Sequence, residues 1–246
     1  MYSTMARTTR KNLTNPTNLF DRPRMFVRLI VKYLFRGVLI AATLAVLVTV
    51  SFSIVNPPYT PYILSESLRV DGVNQTWVAM EDIAPVMARS AVAAEDADFC
   101  EHWGLDLTAI QAALKDGANR GGSTISQQVV KNVYLWQGRS WLRKSIEALM
   151  TPLIEAVWSK RRILEIYLNV AEFDEGVFGV EAAAVHYFSV TAGELSPVQA
   201  ARLAAILPNP KTRSASQPTS NVRSRARSIA DGAATIQADG RAECFE

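Results

Sequence analysis

The chain has 246 residues, 49% hydrophobic and 20% charged, with a formal net charge of +3. That is one domain of ordinary size plus an accessory segment. Two cysteines, Cys100 and Cys244, are too few for a disulfide framework, and the excess positive charge sits in one N-terminal tail, so nucleic-acid binding gains no support.

That tail, residues 1–36, carries Arg7, Arg10, Lys11, Arg22, Arg24, Arg28, Lys32 and Arg36 against the single acid Asp21. Residues 37–55, GVLIAATLAVLVTVSFSIV, contain no charge. As a helix they would span roughly 28 Å, close to the ~30 Å hydrocarbon core. A core helix would seldom stay uncharged on every face. A cleaved signal peptide would end in small residues, whereas this run ends in Ile54, Val55, Asn56, Pro57 and Pro58. The segment reads as an uncleaved, single-pass anchor. Its basic flank places the N-terminus in the cytoplasm and residues 56 onward outside the inner membrane. That outer part holds 18 of the 26 basic residues and 22 of the 23 acids, a net charge of −4. In an oxidising compartment its two cysteines could pair, although they stand at opposite ends of it.

Helical periodicity predicts helices over 85–97, 107–117, 124–136, 141–158, 160–170, 180–187 and 197–207, with a last surface helix over 219–238 and a loose tail. Ser140, Ser159 and Ser196 read as caps, and Thr124 with Gln127 as a capping box, with Ser123 as a weaker cap. Pro152 should kink the longest helix. Residues 65–77 are left open as a short strand or hairpin. The outer part divides into a main domain, 56–218, and a C-terminal helix and tail, 219–246. The fold class is mainly α.

Three stretches are candidates for chemistry, although taken singly Glu95 also reads as a paired or capping helix-end carboxylate and Arg143–Glu147 as a surface salt bridge. Ala84, Ala88 and Ala91 stack at helical spacing and lead to Glu95, a carboxylate whose partial desolvation would make it a better proton acceptor. In RGGSTISQQVVKN (120–132), Thr124, Gln127, Gln128 and Lys131 form one polar stripe, and Ile125, Val129, Val133 and Trp136 an apolar one. In WLRKSIEALM (141–150), Arg143 and Lys144 stand four and three residues from Glu147, with Leu142, Ile146, Leu149 and Leu153 as the expected buried stripe. Nine basic residues lie between 115 and 162 (Lys115, Arg120, Lys131, Arg139, Arg143, Lys144, Lys160, Arg161, Arg162) beside three acids. Cations behind a glycine-led helix N-terminus suit a diphosphate, two separate glutamates suit glycosyl transfer, and an anchor suits a lipid-borne substrate.

The motifs EDADFCEHWGLD (95–106), RGGSTISQQVVKN, RKSIEA (143–148), KRRILEIYLN (160–169) and EGVFGVEAAAVHYF (175–188), in that order over roughly 86–210, resemble the monofunctional biosynthetic peptidoglycan glycosyltransferases. Cys100 stands where relatives often carry an aromatic. The resemblance implies a lysozyme-like helical domain with a small membrane-associated lobe. It also implies polymerisation of lipid II onto a growing lipid-linked glycan, with inversion and release of undecaprenyl diphosphate. Glu95 would be the base and Glu147 the second catalytic glutamate. Asp96, Arg120, Ser123, Thr124, Gln127, Gln128, Lys131, Arg143 and Lys144 would bind substrate. No tightly bound cofactor or protein metal site is expected; a divalent cation (Mg or Mn) on the diphosphate is left open. His102 and His186 read as structural, Tyr167 and Asn169 as supports of the cleft. No S-x-x-K occurs, so strands would be made without cross-linking. Cell-wall synthesis or division proteins are the protein partners implied. The rival readings are a lysozyme-like lytic enzyme, which needs no diphosphate cradle, and a membrane-anchored scaffold with a dead site.

Overall fold

Hydroxyl caps set where most of the helices begin. The computed structural model describes residues 21–106, 122–138 and 140–246. Thr60, Thr124, Ser140, Ser159, Ser196 and Thr219 each accept a hydrogen bond from a backbone N–H in the first turn of the helix that follows. The expected helix over 107–117 lies outside the described residues.

Two compact units are present, Met1–Val48 and Thr49–Glu246. Helix α1 (Asp21–Phe52), most of which belongs to the first, includes the apolar stretch Phe26–Phe52, with mean hydropathy 2.1 and nearly every side chain exposed. It is long and apolar enough to cross a membrane. The helix starts well before residue 37 because Arg28, Lys32 and Arg36 are good helix formers.

The second unit contains α2 (Pro61–Arg69), β1 (Asn74–Gln75), α3 (Pro85–Glu95), α4 (Ile125–Tyr134), α5 (Trp141–Val157), α6 (Lys160–Val170), β2 (Glu172–Asp174), β3 (Val177–Phe178), α7 (Val180–Phe188), α8 (Pro197–Ile206) and α9 (Ser220–Ala238). The architecture is mainly α. The one small sheet of the described residues has order β1-β3-β2, with β1 parallel and β2 antiparallel to β3. It pairs Asn74 with Val177 and Glu172 with Phe178. Two helical layers share the core. One is α3 with α8 and α9, closed by Met87, Ala88, Ala91, Leu203 and Ile229; the other is α4 with α5 and α6, closed by Ile125, Val129, Ile154, Ile163 and Ile166.

Several expectations need correction. The undecided stretch 65–77 begins inside α2, whose Thr60–Pro61 start repeats the cap-and-proline pattern of Ser196–Pro197, and does hold a short strand, β1. Helix α5 does not bury Leu142 and Leu149, which are 66% and 78% exposed; it buries Glu147, Thr151, Ile154 and Trp158 instead. Periodicity finds the apolar face of a helix, whereas burial depends on what the neighbouring helices offer. Trp136 is likewise half exposed rather than core.

The C-terminal tail is not loose. Helix α9 buries Val222, Ala226, Ile229, Ala233 and Ile236, and Phe245 beyond it is buried too. Because α9 runs back along α3, Cys100 and Cys244, 144 residues apart in sequence, come to a Cα–Cα distance of 5.8 Å and form a disulfide. The double variant Cys100→Ser/Cys244→Ser should lose about 2–4 kcal/mol of stability. The loss would show as a lower urea midpoint, with a larger m-value because the uncross-linked unfolded chain exposes more surface; an unchanged midpoint would mean that α9 packing alone holds the tail.

Candidate functional site

The alanine stripe of α3 delivers Glu95 to the helix end as a largely enclosed side chain, 14% exposed. Gln128 Nε2 donates to Glu95 Oε2 at 3.0 Å. Oε1 is buried and has no hydrogen-bond partner among the described residues; Arg225 Nη2 lies 3.7 Å from it. Burial pushes the Glu95 pKa up, while the Gln128 bond, Arg225 and Lys131 pull against it and Asp96 adds to it. A buried oxygen with no donor is costly unless something arrives to use it.

Asp96 faces the protein interior. Its Oδ1 pairs with His102 Nε2 at 2.7 Å, and its Oδ2 accepts from Ile125 N at 3.0 Å, in the first turn of α4. His102 Nδ1 accepts from Gly104 N at 3.1 Å, so in the neutral ring Nε2–H donates to Asp96. Thr124 and Gln127 are also turned inward. Thr124 Oγ1 donates to Gly104 O at 2.6 Å and accepts from Gln127 N, and Gln127 Oε1 accepts from Thr124 N at 3.1 Å. The polar stripe of α4 therefore splits. Thr124 and Gln127 close the capping box and, with Asp96, fix the helix; Gln128 and Lys131 face the cleft.

Lys131 is partly buried, and among the described residues it makes no hydrogen bond or ion pair within 4 Å. Burial lowers its pKa, Glu147 and Glu95 raise it, and Arg143 and Lys144 lower it further. Glu147 is 2% exposed and is held by both cations, Arg143 Nη1 at 2.5 Å from Oε2 and Lys144 Nζ on Oε1. Lys144 also donates to Ser123 Oγ at 3.1 Å, and Arg143 Nε to Gly138 O at 2.9 Å. The carboxylate thus orients two cations that outnumber it. Gln128 and Lys131 line a cavity of about 250 Å³ with Asn132, Tyr167, Glu172 and Lys211. Glu95 lines another of about 310 Å³ with Asp98, Asp106 and Ser123.

A family model described as Transglycosylase matches residues 63–234. The chain belongs to the transglycosylase family. It is 54% identical over 241 residues to a biosynthetic peptidoglycan transglycosylase of Jannaschia sp. (strain CCS1), covering 98% of this chain and 99% of that one. It is 42% identical over 223 residues to the protein of the same name from Caulobacter vibrioides, covering 87% and 97%. With that from Pseudomonas fluorescens (strain SBW25) it shares 45% over 224 residues, covering 87% and 93%. This transglycosylase is therefore a glycosyltransferase.

Of its expected site residues, the structure gathers Glu95, Gln128, Lys131, Ser123, Arg143, Lys144 and Glu147 into mutual electrostatic or hydrogen-bond reach. Arg120 lies outside the described residues, as do Lys115 and Arg139. Lys160, Arg161 and Arg162 serve the fold elsewhere. Lys160 pairs with Glu155 at 2.8 Å and sits over the Phe99 ring, Arg161 donates to the last carbonyls of the tail, and Arg162 donates to Phe52 O and Val55 O. Tyr167 and Asn169 are both fully buried, Asn169 bonded to Val78 and Glu165. His186 pairs with Asp174 at 3.2 Å, outside the cleft residues. Arg225, Tyr62, Glu172 and Lys211 also border the site, unannounced by any motif. Tyr62 donates to Glu172, and Lys211 bridges Glu66 at 2.9 Å and Glu172 at 3.5 Å. No sequence spacing links these residues to the motifs they meet.

Gly104 locks this transglycosylase's first motif against α5. Its φ is +76°, and a Cβ would stand 2.4 Å from Thr151 Cγ2 and 2.9 Å from Glu155 Cγ. Gly104→Ala should cost about 1–3 kcal/mol from strain and overpacking, seen as a lower Tm. An unchanged Tm would mean that the loop can move without cost.

Proposed function

We propose that this transglycosylase polymerises lipid II into β-1,4 glycan strands, with inversion and release of undecaprenyl diphosphate. The observation that carries the proposal is a buried Glu95 Oε1 and a partly buried Lys131 in one site, each without a hydrogen-bond partner among the described residues. Glu95 takes the proton of the acceptor 4-hydroxyl on Oε1 while Gln128 holds Oε2. The hydroxyl oxygen attacks C1 of the donor sugar, and the C1–oxygen bond electrons leave with the diphosphate. Lys131 meets that developing charge, with Arg143 and Lys144 held for it by Glu147. Both oxygens of Glu147 are taken by cations, so it does not fit as a metal ligand, and no step is assigned to a protein-held ion. Any Mg or Mn would arrive on the diphosphate itself.

The apolar stretch Phe26–Phe52 supports a single-pass anchor, and the basic residues before it support a cytoplasmic N-terminus in the inner membrane with the catalytic unit in the periplasm. Trp141, Leu142 and Leu149, all exposed on the helix that carries Arg143 and Lys144, support a membrane-associated lobe beside the diphosphate cations. Cell-wall synthesis or division proteins would be its protein partners, and the chain would leave the strands uncross-linked. The test is purified full-length protein in detergent, given lipid II and, separately, finished glycan. Strand growth with release of the lipid diphosphate is expected; loss of glycan without growth would establish a lytic enzyme, and neither activity a scaffold.

A further inference from the structure

Glu95 closes the last turn of α3, where the partial negative charge of the helix dipole opposes a carboxylate. Burial opposes its ionised form as well. Donor binding would then bring a diphosphate within the reach of Lys131, so the cation of α4 that now favours an ionised Glu95 would be shared with a doubly charged group. A base in such a site needs a second cation that the substrate does not claim.

That cation comes from α9, outside all five motifs. Arg225 Nη2 donates to Ala94 O at 3.2 Å, satisfying one of the free carbonyls at the end of α3. The same nitrogen lies 3.7 Å from Glu95 Oε1, too far for a hydrogen bond, so the lone pairs stay free while the charge is near. The other groups facing Glu95 are Gln128 and Lys131 from α4, Tyr167 from α6, and Asp96 with its partner His102. Asp98 and Asp106 line the same cavity. Of these, only Lys131 and Arg225 lower the Glu95 pKa by their charge.

The placement of Arg225 is built in. Helix α9 approaches α3 so closely that a Cβ on Gly232 would meet Ala93 Cβ at 3.2 Å. The residues after α9 wrap the loop that follows Glu95 and clasp α3 itself: Arg241 Nη1 donates to Ala97 O at 3.1 Å, Cys244 bonds Cys100, and Glu246 pairs with Arg89 of α3 at 2.5 Å.

We propose that Arg225 is a positioning residue for Glu95, holding the end of α3 and keeping the carboxylate ionised while the donor diphosphate is bound. This rests on the reading of Glu95 as the base. The experiment is the pH profile of strand growth from lipid II for the wild type, Arg225→Gln, Arg225→Lys and Glu95→Gln. Arg225→Gln should move the acid limb up by about half to one pH unit, a roughly three- to tenfold loss on the acid side, since the guanidinium is partly screened by solvent. Its rate should rejoin the wild type at alkaline pH, and Arg225→Lys should keep the wild-type limb. An unshifted limb in Arg225→Gln, an equal loss at every pH, or a Gln variant without helical circular dichroism would overturn the proposal in favour of a purely structural role. Wild-type activity in Glu95→Gln would instead remove the parent reading, whatever the Arg225 variants do.

Discussion

Glu95→Gln is expected to slow strand growth by about 10²–10⁴-fold, the usual worth of a general base, without lowering Tm. The amide fills the same space and can still bond Gln128, but it cannot take a proton. The stability half of the expectation follows from linkage. Burial raises the folded pKa of Glu95 above its unfolded value. Its contribution to stability is then fully present at low pH and is lost as pH rises through the folded pKa. Above the folded pKa the ionised side chain is a liability that the amide removes. Catalysis runs in the opposite direction, because only the ionised form is a base, so activity should climb with pH through that same raised pKa. Full activity in the variant, or a lower Tm, would contradict the assignment.

Lys131→Ala is expected to reduce the rate by about 10²–10³-fold, the cost of losing one group aimed at developing negative charge. The three cations are not equivalent. Arg143 and Lys144 share the charge of Glu147, whereas Lys131 is unpaired among the described residues and is disfavoured as a cation by burial. A diphosphate would relieve that penalty, so the interaction strengthens as charge develops on the leaving group. The loss should therefore fall on use of the lipid-linked donor more than on the acceptor. Single-turnover kinetics with the two varied separately would show this; equal damage to both would rule out the leaving-group role.

The helices were legible because their starts are written locally. Ser140, Ser159, Ser196 and the Thr124–Gln127 box needed no tertiary information. The same cap-and-proline signal stands at Thr60–Pro61 and starts α2. Glu95 was legible because three alanines at helical spacing announce where the stripe ends. What local pattern cannot supply is which face a neighbour covers. Leu142 and Leu149 carry the right period yet stay exposed, while Glu147 is drawn inward by its cations. Thr124 and Gln127 share a stripe with Lys131 but serve the capping box. Arg225 reaches Glu95 across 130 residues of chain, and only the return of α9 along α3 reveals it.

The bond between Cys100 and Cys244 also imposes an order of events. Ribosomes build the chain from the N-terminus, so the first thiol must wait for almost the entire catalytic unit to be synthesised before its mate exists. During that interval it is open to mixed-disulfide formation by exchange with any disulfide it meets, releasing that partner's other sulfur as a thiol. Material made in a reducing cytosol would carry the loop after Glu95 unstapled, and its activity would understate that of the oxidised enzyme.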